Sequence, residues 1–247
     1  MNSDVCGEGA PLVLVPGLGC DGRMWGRAID HLPFPVKAII PRSWEAVSMA
    51  EAADRIASDL SALGIRKAFF AGLSMGGYAV FEFLRRKPEM AAGAVFCDTT
   101  AFPDDEARLG KRDQVLKLLD EGKFEEVLKP FIHSVLWENG PRFELSRDFI
   151  LGMARELGAF TYARSVRSIR DRGGYLDVLE NSEIPMLFVS GEHDLLSPPS
   201  LAEKMAGLAK NGDWAVIADA AHMTAVENPV ALASAMGDFF RNLMLPG

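Results

Sequence analysis

Short apolar segments alternate along the chain with segments of helical periodicity. Runs rich in Val, Ile, Leu and Phe predict six β-strands, at residues 10–16, 36–40, 68–73, 93–97, 186–190 and 214–218. Several of these runs are apolar almost throughout, which is typical of strands buried on both faces of a parallel sheet. Residues 47–63, 75–86 and 229–243 instead place apolar side chains on one helical face. This alternation predicts an α/β fold with a mostly parallel, doubly wound sheet.

One long segment departs from the alternation. Residues 99–183 contain no convincing strand pattern, whereas helical patterns occur at 106–119, 124–136, 149–157 and 160–170. The segment is also richer in aromatic side chains than a solvated linker would be. We therefore predict a core formed by residues 1–98 and 184–247, with residues 99–183 inserted between two of its strands as a helical cap.

The clearest chemical signal is a G-x-S-x-G motif formed by Gly72, Ser74 and Gly76. An apolar strand precedes the motif and a helical pattern follows it, which is the context that a nucleophilic serine on a strand-to-helix turn requires. Such a turn is strained and crowded, so glycine is favoured on both sides of the serine. A glycine-rich turn without chemistry is the alternative reading. We predict that Ser74 is a catalytic nucleophile.

A serine hydroxyl needs a neighbouring base, and the base in turn needs an acid that orients it. His222 follows the last predicted strand, so we expect it at the same sheet edge as Ser74. Asp194 ends the preceding strand and is the predicted acid, ahead of Glu192 nearby. Asp98 follows the strand after the motif and is an alternative acid, or else a hydrogen-bonding residue at the strand end. The other histidines are His31, His133 and His193.

Acyl transfer also needs hydrogen-bond donors for the negative charge that develops on the carbonyl oxygen. The backbone amide of Met75, directly after the serine, is one predicted donor of this oxyanion hole. The loop after the first predicted strand supplies the other, and we assign it to Leu18, because Gly17 and Gly19 let the backbone approach a ligand.

Together these residues resemble the α/β-hydrolase superfamily, and the resemblance extends over residues 12–25, 191–198 and 221–229. The chain is most similar to small bacterial esterases, lactonases and enol-lactone hydrolases with a helical cap. The resemblance implies hydrolysis of a small ester or lactone through an acyl-enzyme. Two departures are Pro16-Gly17, where many relatives have His-Gly, and the N-terminal antiparallel hairpin of fuller members, which we expect to be missing. A serine nucleophile distinguishes the chain from haloalkane dehalogenases, which use aspartate.

Composition narrows the functional classes further. The net charge of −8 lacks the basic footprint of a nucleic-acid-binding protein. The three cysteines have no metal-type or C-x-x-C spacing, and no nucleotide-binding loop is present, so neither a metal nor another cofactor is expected. The absence of a signal-peptide pattern and of a long apolar run predicts a cytoplasmic protein without membrane association. The sequence leaves the oligomeric state open.

Substrate identity remains open at this level. Arg164, Arg167, Arg170 and Arg172 lie in the predicted cap and could hold a carboxylate or phosphate if their helix face pointed inward. Otherwise they form a solvated face or contact acidic neighbours such as Asp171. The same triad also serves carbon–carbon bond hydrolysis, lyase, acyl-transfer or perhydrolase chemistry on this scaffold, and a non-enzymatic ligand receptor is a third possibility.

Overall fold

Seven β-strands form one sheet in the computed structural model, which describes residues 3–244. The spatial order is β1-β3-β2-β4-β5-β6-β7, and every neighbouring pair except β1 and β3 is parallel. This confirms the predicted mostly parallel α/β fold. The strands are β1 (Ser3–Cys6), β2 (Ala10–Val15), β3 (Val36–Pro41), β4 (Ala68–Leu73), β5 (Ala91–Cys97), β6 (Met186–Gly191) and β7 (Gly212–Ile217).

Helices cover both faces of the sheet, because its central strands are apolar on both sides. All six residues of β4 and of β6 are buried. Phe96 and Phe188 belong to the apolar cluster on one face, and Val95 and Leu187 to the cluster on the other. The helices are α1 (Gly26–Asp30), α2 (Met49–Ala62), α3 (Met75–Arg86), α4 (Glu106–Asp120), α5 (Phe124–Val135), α6 (Phe143–Arg170), α7 (Leu176–Asn181), α8 (Pro199–Leu208), α9 (Thr224–Glu227) and α10 (Pro229–Met244).

The N-terminal strand corrects the expectation that the sheet begins with a parallel strand. Strand β1 lies at the sheet edge and pairs antiparallel with β3, with Ser3 opposite Pro41 and Cys6 opposite Ala38. Hydrophobic patterning does not predict this strand, because its four residues are largely exposed and have no apolar alternation. An antiparallel element therefore does precede the first parallel strand, as a single edge strand.

Helices α4 to α7 lie between β5 and β6 in the chain, within the segment predicted to be an insertion. Helix α6 joins two predicted helices into one element of 28 residues, interrupted at Gly158, whose φ of 80° is not helical. Side chains of α4, α5 and α6, including Leu119, Leu128 and Tyr162, form an apolar cluster of their own. The treatment of residues 99–183 as a separate cap remains a prediction.

The helices within residues 3–244 include none that is both long and apolar enough to span a bilayer.

Candidate active site

Ser74 lies on a strained turn between β4 and α3. Its backbone has φ 53° and ψ −113°, in a region that residues with a side chain seldom adopt. The flanking glycines are sterically required: a Cβ on Gly72 would lie 2.5 Å from the Gly76 carbonyl oxygen, and a Cβ on Gly76 would lie 2.0 Å from that of Val15. Thr99 braces the turn, because its hydroxyl donates to the Ser74 carbonyl at 2.8 Å.

Three side chains from separate loops form a continuous chain of hydrogen bonds. Ser74 Oγ lies 2.8 Å from His222 Nε2, and His222 Nδ1 lies 2.8 Å from Asp194 Oδ2. A carboxylate only accepts hydrogen bonds, so Nδ1 carries the imidazole proton and Nε2 is free to accept the serine proton. The structure therefore brings together the three residues that the sequence singled out.

The surroundings of Asp194 favour its ionised form. Its other oxygen, Oδ1, accepts hydrogen bonds from the backbone amides of Leu196 at 2.8 Å and Ser197 at 3.0 Å. Burial opposes ionisation, but His222 and these amides outweigh it, so the pKa of Asp194 lies below its usual value. Burial likewise opposes the charge on His222, and the neighbouring carboxylates, Asp194 first, raise the pKa of His222 above its usual value.

Asp98, the alternative acid, makes no hydrogen bond to the histidine. Its carboxylate is fully buried and accepts hydrogen bonds from the Gly191 amide at 3.0 Å and from the Thr224 hydroxyl at 2.6 Å. Burial and the nearby charge of Asp194 raise its pKa to about 7. Asp98 therefore ties together β5, the end of β6 and the start of α9, which is the hydrogen-bonding alternative considered from the sequence.

Glu227 is a site residue that the sequence analysis missed. Its buried carboxylate accepts hydrogen bonds from the backbone amides of Trp137 at 2.8 Å, Ala221 at 3.0 Å and Met223 at 3.1 Å. The His222 amide also donates to the Val135 carbonyl at 3.1 Å. The loop that carries His222 is thus fastened to the end of α5. The nearest sequence signal is an acidic residue five positions after a candidate base, which alone is uninformative.

The two predicted oxyanion donors lie beside the serine. Met75 is the first residue of α3, and Leu18 lines the same cavity as Ser74. Across residues 3–244, neither backbone amide donates a hydrogen bond to another protein atom. The amide of Met75 lies at a helix N-terminus, where unsatisfied amides are suited to stabilising negative charge, and that of Leu18 lies in the loop after β2.

A cavity of about 370 Å³ opens above Ser74. Its size falls within the usual range for small-molecule sites. Much of the lining is apolar, and helix α4 of the inserted segment contributes three basic side chains. The apolar lining residues are Leu18, Phe131, Val135, Ile169, Leu195, Leu196 and Met223, and the basic ones are Arg108, Lys111 and Arg112.

The four arginines noted from the sequence are absent from this lining. Arg167 pairs with Asp120 at 3.2 Å, and Arg170 with Asp113 at 2.6 Å and with Asp171 at 3.3 Å. Arg172 is buried, pairs with Asp104 at 2.8 Å and lies over the ring of Tyr78. Arg164 lies 5.8 Å from the ring centroid of Phe160. Three of these four arginines therefore form ion pairs with acidic neighbours, which is one of the alternatives considered from the sequence.

The remaining histidines and cysteines lie apart from the chain of hydrogen bonds. His193 stacks on Trp137 with ring centroids 4.0 Å apart, His133 contacts Glu138, and His31 is exposed. Cys20 and Cys97 are buried, and burial raises the pKa of both thiols. Within the described part of the chain, no cluster of three or more His, Cys, Asp or Glu side chains could hold a metal ion.

A parallel sheet of this order, with a strained serine at a strand-to-helix turn, defines the α/β-hydrolase class of proteins. The chain belongs to the alpha/beta hydrolase family, whose profile matches residues 12–235. Family membership supports a hydrolase, and the resemblance noted from the sequence is confirmed.

Known proteins of this family match the chain over nearly its whole length. A thermophilic esterase from Thermogutta terrifontis, solved with malate bound, superposes with a TM-score of 0.90 at 27% identity, covering 98% of this chain and 93% of that one. The enol-lactonase from Burkholderia xenovorans LB400 has the same fold, with a TM-score of 0.84, 19% identity and coverages of 97% and 95%. The putative non-heme bromoperoxidase BpoC of Mycobacterium tuberculosis is 25% identical, covering 96% of each chain.

Proposed function

We propose that this protein is a serine hydrolase that cleaves a carboxylic ester or lactone through an acyl-enzyme. The observation that carries the proposal is the hydrogen-bonded series Ser74–His222–Asp194, with 2.8 Å at both links, at the floor of a cavity that fits a small molecule. The esterase from Thermogutta terrifontis and the enol-lactonase from Burkholderia xenovorans support this reaction class.

In the first half of the reaction, Ser74 Oγ attacks the substrate carbonyl carbon while His222 Nε2 takes the hydroxyl proton. Asp194 keeps the other ring proton on Nδ1 and stabilises the imidazolium that forms. The carbonyl oxygen becomes an oxyanion, and the amides of Leu18 and Met75 donate hydrogen bonds to it. When the tetrahedral intermediate collapses, Nε2 returns the proton to the leaving alkoxide, which departs as the alcohol and leaves an acyl-serine.

In the second half, a water molecule takes the place of the alcohol. His222 Nε2 removes a proton from the water, whose oxygen attacks the acyl carbon, and the same two amides hold the new oxyanion. Collapse of this intermediate returns the proton to Ser74 Oγ and releases the carboxylic acid. For a lactone, the alcohol and the acid remain in one molecule, since the bond broken closes a ring.

We assign the inserted segment 99–183 the role of a cap over this site. The assignment is supported by the cavity lining, to which the segment contributes Arg108, Phe131 and Ile169 among others. Glu227 and the Val135 carbonyl fasten the cap to the loop of His222, so the cap both shapes the pocket and positions the base.

The test is hydrolysis of a panel of p-nitrophenyl esters and lactones by the wild type and by Ser74→Ala. We expect ester or lactone hydrolysis that falls at least about 10³-fold in Ser74→Ala with the fold retained by circular dichroism. The matched control is Ser61→Ala, because that hydroxyl is exposed on α2 and only donates to the Ala57 carbonyl. Wild-type rates in Ser74→Ala would overturn the proposal.

A further inference from the structure

The cavity above Ser74 carries positive charge in a chain whose net charge is −8. Arg108, Lys111 and Arg112 come from the first turns of α4 and line this cavity, whereas residues 3–244 contribute no aspartate or glutamate to its lining. Positions 108, 111 and 112 lie on one face of a helix, so their side chains are presented to the cavity together.

The three cations differ in what already neutralises them. Arg112 pairs with Asp104, a carboxylate that also pairs with the buried Arg172. Arg108 donates to the carbonyl oxygen of Leu196 at 3.1 Å, and within residues 3–244 it pairs with no carboxylate. Lys111 has neither a hydrogen bond nor an ion pair with any described residue. Two cations of the cavity are therefore available to an anionic ligand.

We propose that the substrate carries a carboxylate, and that Lys111 and Arg108 bind this group while the scissile carbonyl lies at Ser74. The inference rests on the proposed function and narrows its substrate class to esters or lactones of dicarboxylic acids or similarly charged compounds. A carboxylate offers two oxygens that accept charge-assisted hydrogen bonds from one ammonium and one guanidinium group.

The apolar part of the cavity lining bears on the rest of the substrate. Phe131, Val135 and Ile169 line the same cavity as Ser74 and Lys111, so the part of the substrate between carbonyl and carboxylate is apolar. A short aliphatic spacer meets both requirements, and a cavity of about 370 Å³ accommodates a molecule of that size. A neutral ester of the same length leaves the two cations without a partner.

The experiment compares two ethyl esters of equal chain length, monoethyl adipate with a free carboxylate and ethyl hexanoate without one. Ethanol release gives kcat/KM for each ester at neutral pH and low ionic strength, and the measured quantity is the ratio of the two values. We expect the wild type to favour monoethyl adipate. The ratio should fall about tenfold in Lys111→Met, as expected for loss of one charge-assisted hydrogen bond, and further in Lys111→Glu.

Two further variants separate charge from structure. Lys111→Arg should restore most of the preference, because it keeps the cation. Lys117→Met removes the same charge from the same helix at an exposed position that does not line the cavity, and it should leave the ratio unchanged. High salt should lower the wild-type ratio by screening the cations.

The outcomes distinguish this inference from the proposed function. If the wild type hydrolyses ethyl hexanoate as well as monoethyl adipate, or if Lys111→Met and Lys117→Met give the same ratio, the carboxylate proposal is overturned while serine hydrolysis stands. If Ser74→Ala hydrolyses both esters at the wild-type rate, the proposed function itself fails.

Discussion

Replacing Asp194 by Asn tests which carboxylate orients the histidine. Asp194 Oδ1 accepts hydrogen bonds from the backbone amides of Leu196 and Ser197, and Oδ2 faces His222 Nδ1. In Asp194→Asn the remaining carbonyl oxygen must face the two amides, because the carboxamide NH₂ would meet them donor to donor. The NH₂ group then points at Nδ1, which must accept its hydrogen bond and so carries no proton.

The consequence is an imidazole in the wrong tautomer. With Nδ1 unprotonated, Nε2 bears the proton and cannot accept one from Ser74. We expect kcat to fall about 10⁴-fold, the effect of the same change in an established triad, equivalent to about 5.5 kcal/mol of transition-state stabilisation. Both backbone amides keep their acceptor, so the fold should be retained.

Asp98→Asn is the matched control. It makes the same chemical change in a second buried aspartate, which accepts hydrogen bonds from Gly191 and Thr224 and makes none with the histidine. We expect it to cost about 1–3 kcal/mol of folding free energy, because the carboxamide NH₂ must replace the acceptor of either the Gly191 or the Thr224 amide, with kcat within about tenfold of the wild type. Steady-state hydrolysis of a chromogenic ester and urea unfolding measure the two effects. Greater loss of kcat in Asp98→Asn than in Asp194→Asn would refute the assignment.

Three further predictions concern the serine turn, the histidine loop and the pH dependence. Gly76→Ala should abolish folding or cost more than about 3 kcal/mol in urea unfolding, because its Cβ would lie 2.0 Å from the Val15 carbonyl oxygen. The control Gly110→Ala should instead stabilise α4 by about 0.5–1 kcal/mol, because its Cβ would meet no atom within 4 Å, and equal effects of the two substitutions would contradict this prediction. Glu227→Ala should cost about 3–5 kcal/mol and Glu227→Gln about 1–2 kcal/mol, because only the alanine leaves all three amides without an acceptor. The base must be neutral, and the pKa of His222 is raised, so kcat/KM should rise with pH through a midpoint above the usual 6.5; a midpoint below 6.5 would contradict the assigned environment.

The serine turn could be predicted because its constraint is local. The close approach of Gly72 to Gly76, and of Gly76 to β2, follows from the path of one strand into one helix, so the motif itself reports it. The positions of His222 and Asp194 could also be predicted from the sequence, because the carboxyl ends of parallel strands lie at one edge of the sheet. Strand β1 was missed because edge pairing leaves no apolar pattern in so short a segment.

The side chains that line the cavity could not be predicted from the sequence, because they depend on how the helices of the inserted segment pack. Helix α4 carries charged side chains around much of its circumference, so periodicity does not tell which of its cations line the cavity above Ser74. The arginines at and just after the end of α6 formed the clearer pattern, yet Arg172 is buried against Asp104. The cavity cations that pair with no carboxylate among residues 3–244 are Arg108 and Lys111. Glu227 escaped notice for a similar reason, since its donors come from a distant segment as well as from its own loop.

Labelling with a fluorophosphonate probe tests the central claim most directly, because it requires an activated serine and no knowledge of the substrate. The account predicts that intact-mass analysis finds one probe per chain, that peptide mapping places it on Ser74, and that His222→Ala abolishes it while Ser61→Ala does not. A folded wild-type protein that is not labelled, or is labelled at another residue, would contradict the account.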